Sequence, residues 1–176
     1  MKYNTHMVGG LALGYMAFNH IDYLGDYLSN STDVAIVSAL LVAGSLLPDI
    51  DISTSYMSRK TRPISFFTSK FFKHRGYTHS IVGILSITLI FYLVLGMFSY
   101  TEDILRMASL SLLIGMSSHV LLDMMTHSGV ELFYPLKKRV NAGKLTIVNN
   151  LAYGFSELVV AVLLGFIAYR GFYGLI

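Results

Sequence analysis

The chain has 176 residues, of which 54% are hydrophobic and 13% charged, with a formal net charge of +3. That length suits one domain, and the balance, with a mean hydropathy of +0.60, excludes an ordinary soluble globule and points to a protein whose solvent is partly lipid. There is no cysteine, so disulfides and thiolate metal sites are excluded.

A membrane-crossing helix needs about 20 mostly apolar residues, and five runs of that kind are predicted. Thr5 to Asn19 is short and rich in glycine, with Gly10 and Gly14 in the GxxxG spacing that permits close helix contact. "MVGGLALGYMAF" is followed by "NHIDYLG" instead of a small-residue cleavage site, so no cleavable leader is expected. Val34 to Leu47 is also short and ends at Pro48. Ser80 to Phe98 and Ile104 to Met125 are long enough to span, and Leu151 to Tyr169 closes the chain. The expected fold is all-α: a polytopic integral membrane helix bundle of about five transmembrane helices, forming one domain over residues 1–176.

The connections set an orientation. Lys2 precedes the first run; Arg59, Lys60, Arg62, Lys70, Lys73 and Arg75 lie between the second and third; Lys137, Lys138, Arg139 and Lys144 lie between the fourth and fifth. The other two connections, "HIDYLGDYLSNSTD" and "SYTED", contain no Lys or Arg. By the positive-inside rule the N-terminus is cytoplasmic and the C-terminus external, with Arg170 the one dissenting charge.

On this topology the unusual polar residues gather at the cytoplasmic face. His6 opens the first span, and Asp49 and Asp51 in "LLPDID" close the second. His74 and His79 in "HRGYTHS" precede the third, and His119, Asp123 and His127 in "SHVLLDMMTH" lie toward the cytoplasmic end of the fourth. His20 falls on the other side, as a loop residue. The i, i+4, i+8 spacing of His119, Asp123 and His127 forms one helical stripe. At about 1.5 Å per residue its two histidines are roughly 12 Å apart, too far to share one ion on a continuous helix. His127 at a helix end also reads as a dipole partner. An ionisable pair such as His119 and Asp123 within an apolar run is costly unless satisfied, and marks a functional site. Asp49 and Asp51 follow a helix C-terminus, where the dipole disfavours carboxylates by about 0.3 to 1 kcal/mol each; a cation would resolve this, while a solvated Pro-Asp turn is the plainer alternative.

Thr78 or Ser80 can cap the third span, leaving the His74 and His79 imidazoles facing the carboxylates of neighbouring helices. Arg75 offers a planar donor fork for a phosphate or carboxylate, and equally serves as a positive-inside anchor. His and Asp ligands without Cys suit Zn, with Mn or Fe as alternatives, better than Ca. The metal set is His6, Asp49, Asp51, His74, His79, His119, Asp123 and His127, more ligands than one tetrahedral ion can use. Either two ions are present or some of these residues orient ligands or act in catalysis.

Taken together, His6, "PDID", "HRGYTHS" and "SHVLLDMMTHSGVELFYPL" resemble the LexA-regulated YdjM-like family of predicted membrane-bound metal-dependent hydrolases, over nearly the whole chain. The resemblance implies a metal site more directly than a reaction. The order Asp, His, His-x-x-x-Asp, His also resembles the ligand order of zinc-dependent phospholipase C, in short spacings alone. The expected function is thus metal-dependent hydrolysis of a phosphoester of a lipid or other amphiphile at the cytoplasmic face. Asp51 would be the base or bridging ligand, Arg75 would hold the substrate anion, and His74 is a further catalytic candidate. The bilayer and a lipid phosphate are the expected partners, and no nucleic acid is. A proton or divalent-cation transporter is a second reading, and a membrane protein stapled by a structural metal a third. Clustering at one face disfavours transport, and Glu157, the other acid placed in a span, lies near the same face.

Overall fold

The computed structural model describes residues 3–21, 24, 30–51, 76–126, 128–141, 162, 164–166 and 168–170. The fold is all-α. Helix α1 runs Tyr3–His20, α2 Ser31–Leu46, α3 Ile81–Gly96 and α4 Glu102–Met124. Short 3-10 turns at Leu47–Asp51 and Tyr77–His79 follow α2 and precede α3, and residues 162, 164–166 and 168–170 are also helical. Among the described residues the β-structure is one isolated bridge, Val130 to Val140.

Each boundary has a local cause. Asn30 opens α2, its side chain accepting from the Thr32 and Asp33 amides at 2.9 and 3.0 Å, which satisfies donors that a first helical turn leaves open. Ser80 opens α3: its hydroxyl accepts from Gly83 N at 3.0 Å and donates to the Tyr77 carbonyl at 2.7 Å. Of the two predicted caps, Ser80 is therefore the one used. Glu102 and Asp103 begin α4, where acidic groups suit the positive end of the dipole. That helix stops at Met124 because the Thr126 hydroxyl and amide both turn back to the Asp123 carbonyl, at 2.7 and 3.1 Å. The stripe drawn through His127 fails here, since α4 ends before that residue.

Helix α2 packs most extensively on α4, α1 lies against both, and α3 packs on α4. Close approach depends on missing side chains. A Cβ at Gly44 of α2 would lie 2.5 Å from Leu112 O and 3.2 Å from Gly115 Cα of α4. On α1, one at Gly10 would meet Leu41 O at 2.9 Å, and one at Gly14 would strike the Leu41 side chain, so the GxxxG spacing does seat α1 on α2. The end of the bundle beginning α2 and α4 is filled by Ala12, Phe18, Val34, Val37, Leu41 and Met107, all buried. A second cluster, Ile84, Leu112, Met116, Val120 and Val130, joins α3 and the loop after α4 to the other end. That loop is held to the start of α3 by Ile81 N donating to Leu132 O at 3.0 Å.

Ser31–Ile50 and Glu102–Met124 are long and apolar enough to cross a membrane, while Ile81–Gly96 is shorter. The expected third span, Ser80 to Phe98, is thus trimmed at both ends, and most of the expected fifth lies outside the described residues. The outward face of α3 carries Val82, Leu85, Leu89, Ile90 and Leu93, all exposed, an apolar surface that suits lipid and would be unfavourable in water.

Candidate metal centre

Four separate elements bring five ligand-type side chains to one end of the bundle. His6 comes from the first turns of α1, Asp49 from the 3-10 turn after α2, His79 from the 3-10 turn before α3, and His119 and Asp123 from adjacent turns of α4. His6, His79, His119 and Asp123 are at most 2% exposed, whereas Asp49 is 21% exposed. Asp49 therefore forms the open side of a closed cluster.

The inner geometry suits a cation. His119 Nε2 lies 3.2 Å from His79 Nε2, 3.5 Å from Asp49 Oδ1 and 3.9 Å from Asp123 Oδ2. His79 Nε2 lies 3.6 Å from the same Asp49 oxygen and 3.8 Å from the same Asp123 oxygen. These N to O separations exceed those of well-formed hydrogen bonds, about 2.7 to 3.2 Å. The five separations, 3.2 to 3.9 Å, are the size of tetrahedral edges that place a central atom about 2.0 to 2.4 Å from each vertex, the reach of Zn–N and Zn–O bonds.

His119 Nδ1 is 2.7 Å from the Ser45 main-chain carbonyl, which can only accept, so Nδ1 carries a proton. The Nε2 of a neutral His119 then presents its lone pair toward the cluster. Orientation of a ligating imidazole by a carbonyl on its far nitrogen is a common feature of protein metal sites. His79 Nδ1 lies 3.1 Å from the Thr78 hydroxyl, which can donate or accept. With the imidazoles neutral, the two carboxylates would carry two negative charges, which favour divalent cations.

His6 sits differently. Its ring stacks on that of His119, with centroids 3.8 Å apart and planes inclined by 16°. Its Nε2 is 3.5 Å from Asp123 Oδ1, the oxygen that does not face the other two histidines. Its Nδ1 is buried with no hydrogen-bond partner among the described residues.

The structure thus brings together His6, Asp49, His79, His119 and Asp123 of the expected metal set. His74, Arg75, His127 and Glu157 lie outside the described residues, as does the side chain of Asp51, whose backbone closes the 3-10 turn. His20 ends α1, exposed and at the opposite end of that helix from His6. Sequence reasoning misses the Ser45 carbonyl, because a main-chain group leaves no mark in the residue code. It also misses Glu131, an acid buried in the loop after α4 with Arg139 Nε at 3.9 Å; its apolar flanks in "GVELF" were the available signal.

Residues 1–175 match the family described as "YdjM inner membrane protein". The chain is 31% identical over 140 residues to the uncharacterized protein YvsG of Bacillus subtilis, covering 80% of this chain and 77% of that one. It is 35% identical over 106 residues to the inner membrane protein YdjM of Escherichia coli, covering 59% of this chain and 50% of that protein. The YdjM protein of Shigella flexneri gives the same identity and coverage. No solved structure matches.

Proposed function

From the premise that this chain belongs to the YdjM family of inner membrane proteins, and so resides in the cell membrane, we propose that it is a metal-dependent hydrolase. Its substrate would be a phosphoester of a lipid or other amphiphile, cleaved at the cytoplasmic face. The observation that carries this reading is the approach of Asp49 and Asp123 to the paired Nε2 atoms of His79 and His119, at 3.5 to 3.9 Å. These four would hold a divalent cation, with zinc favoured by the nitrogen and oxygen donors and by the distances. When bound, such an ion supplies Lewis-acid polarisation of a phosphoryl oxygen and activates water near neutral pH.

The remaining steps belong to the chain's own residues. Ser45 and Thr78 fix the two imidazoles through their far nitrogens. Asp49, the partly exposed member, is the side from which substrate and water reach the cluster. Asp51, two residues on at the end of the same turn, is the candidate base for the attacking water, with His74 as a further candidate for proton transfer. Arg75 would hold the phosphate, since guanidinium is always cationic and has no lone pair to give a metal. Five spans with the N-terminus inside would set this end of the bundle at the cytoplasmic headgroups, where the basic connections are.

A stapling metal is the competing reading, favoured because every ligand-bearing element contributes a group and four protein ligands can close a tetrahedral site. Transport is disfavoured by the buried apolar cluster of Phe18, Leu41 and Met107 toward the other end. The deciding experiment is metal analysis of detergent-purified protein, with a screen against phospholipids and isoprenoid phosphates with and without a chelator. Chelator-sensitive release of phosphate or a phosphorylated headgroup supports the hydrolase. Metal-loaded protein inert across the screen would leave the stapled bundle as the better account.

A further inference from the structure

We propose that the centre is built for two cations that share the Asp123 carboxylate, with His6 as the ligand that belongs to the second ion alone. This rests on the metal-centre reading above and adds the division of labour among its residues.

The first ion leaves one buried imidazole over. His79, His119, Asp49 Oδ1 and Asp123 Oδ2 would supply the four ligands of one ion. His6 is not needed for it, yet it is a fully buried imidazole, and burying a polar ring without use is unfavourable. Its position is specific. Asp123 turns one oxygen to His79 and His119 and the other to His6, the disposition of a carboxylate that bridges two ions. Atoms of His6, Asp49 and His119 also lie within 4.8 Å of one another, so Asp49 can reach both positions.

The stacked rings supply the spacing. His6 and His119 are near-parallel with centroids 3.8 Å apart, and each directs Nε2 toward a different oxygen of Asp123. Two ions on those nitrogens would be separated by a similar distance, which falls in the about 3.5 to 4 Å range of two-metal hydrolytic sites. Imidazoles stacked this closely would repel if both were protonated, whereas both can be neutral ligands. The second position, with His6 and two shared carboxylates, keeps vertices free for water and a phosphoryl oxygen. It sits beside Asp49, the exposed edge. Two divalent ions against two carboxylates leave the cluster positive, which suits an anionic substrate.

The test counts ions. Wild-type protein, purified in detergent, stripped and equilibrated with excess zinc, is expected to hold two ions per chain after desalting. H6Q and H6A are expected to hold one. With Mn substituted, the wild type should give the electron paramagnetic resonance spectrum of an exchange-coupled pair, and H6Q that of an isolated ion. One ion per chain in the wild type, or two retained in H6Q, overturns the proposal. If either variant fails to fold, wild-type stoichiometry and the wild-type Mn spectrum decide alone. One ion with hydrolysis intact overturns this inference and leaves the hydrolase reading standing, while no bound ion at all sinks both.

Discussion

Adding a single methyl group at Gly44, a residue with no ligand atom of its own, should loosen the metal. In Gly44→Ala the new Cβ would begin 2.5 Å from Leu112 O and 3.2 Å from Gly115 Cα. Both are backbone atoms of α4, so no side chain can turn aside. Reaching a bare van der Waals contact requires the two helices to separate by roughly 0.9 Å. The next residue on α2 is Ser45, whose carbonyl holds His119 Nδ1 at 2.7 Å, and the same separation stretches that bond to about 3.6 Å, beyond hydrogen-bonding range. Losing such an orienting partner typically weakens metal binding by about 10- to 100-fold, or about 1.4 to 2.7 kcal/mol. Overpacking adds a destabilisation of about 1 to 3 kcal/mol, offset in part by the roughly 1 kcal/mol better helix propensity of alanine. Zinc affinity, measured by competition with a chromogenic chelator, is therefore the cleaner readout than melting temperature. Gly96→Ala is the control, because a Cβ there meets nothing within 4 Å, and its affinity should equal that of the wild type. Wild-type affinity within twofold in Gly44→Ala would refute the idea that helix spacing and the Ser45 carbonyl together aim His119.

Asp123→Ala should abolish both metal content and turnover, since its carboxylate faces all three histidines; metal analysis and the lipid-phosphate assay check this together. Arg75→Ala should leave metal content intact while raising KM or lowering kcat, and loss of metal would instead make Arg75 part of the scaffold. Reporter fusions after residue 101 should read external and fusions after residue 140 internal, and the reverse pattern for either would discard the proposed orientation. Ser80→Ala removes the hydroxyl that bridges Gly83 N and Tyr77 O and should lower stability by about 1 kcal/mol in a detergent unfolding titration, with Ser80→Thr restoring most of it.

Apolar run length and bounding polar residues made α1, α2, α3 and α4 legible in the sequence, because a long uncharged run away from water satisfies its backbone groups most readily as a helix. The i, i+4 pair His119 and Asp123 was legible for the same reason: ionisable groups at that depth need partners, and helix geometry fixes which face they share. Convergence of His6, Asp49 and His79 on them was the expectation of the five-span arrangement. What escaped was set by the backbone. The stripe assumed through His127 depended on α4 continuing, and the Thr126 hydroxyl ends it by returning to the Asp123 carbonyl. Asp49 could be read as a carboxylate in search of a cation, yet the 3-10 turn that swings it onto His79 and His119 has no distinctive composition beyond Pro48. Division of Asp123 between two sets of histidines depends on ring orientation, to which residue spacing is blind.

The apolar packing of Ala12, Phe18, Val37, Leu41 and Met107 has an electrical consequence. Carrying a unit charge across a membrane at 100 mV changes its energy by about 2.3 kcal/mol, so a cation site deep in the bilayer would fill or empty as the cell energises its membrane. Here the candidate ligands gather at one end of the helices, so in the proposed five-span arrangement an arriving ion would traverse little of the voltage drop. Occupancy of the proposed centre would then follow the free metal concentration of a single compartment and be indifferent to respiration.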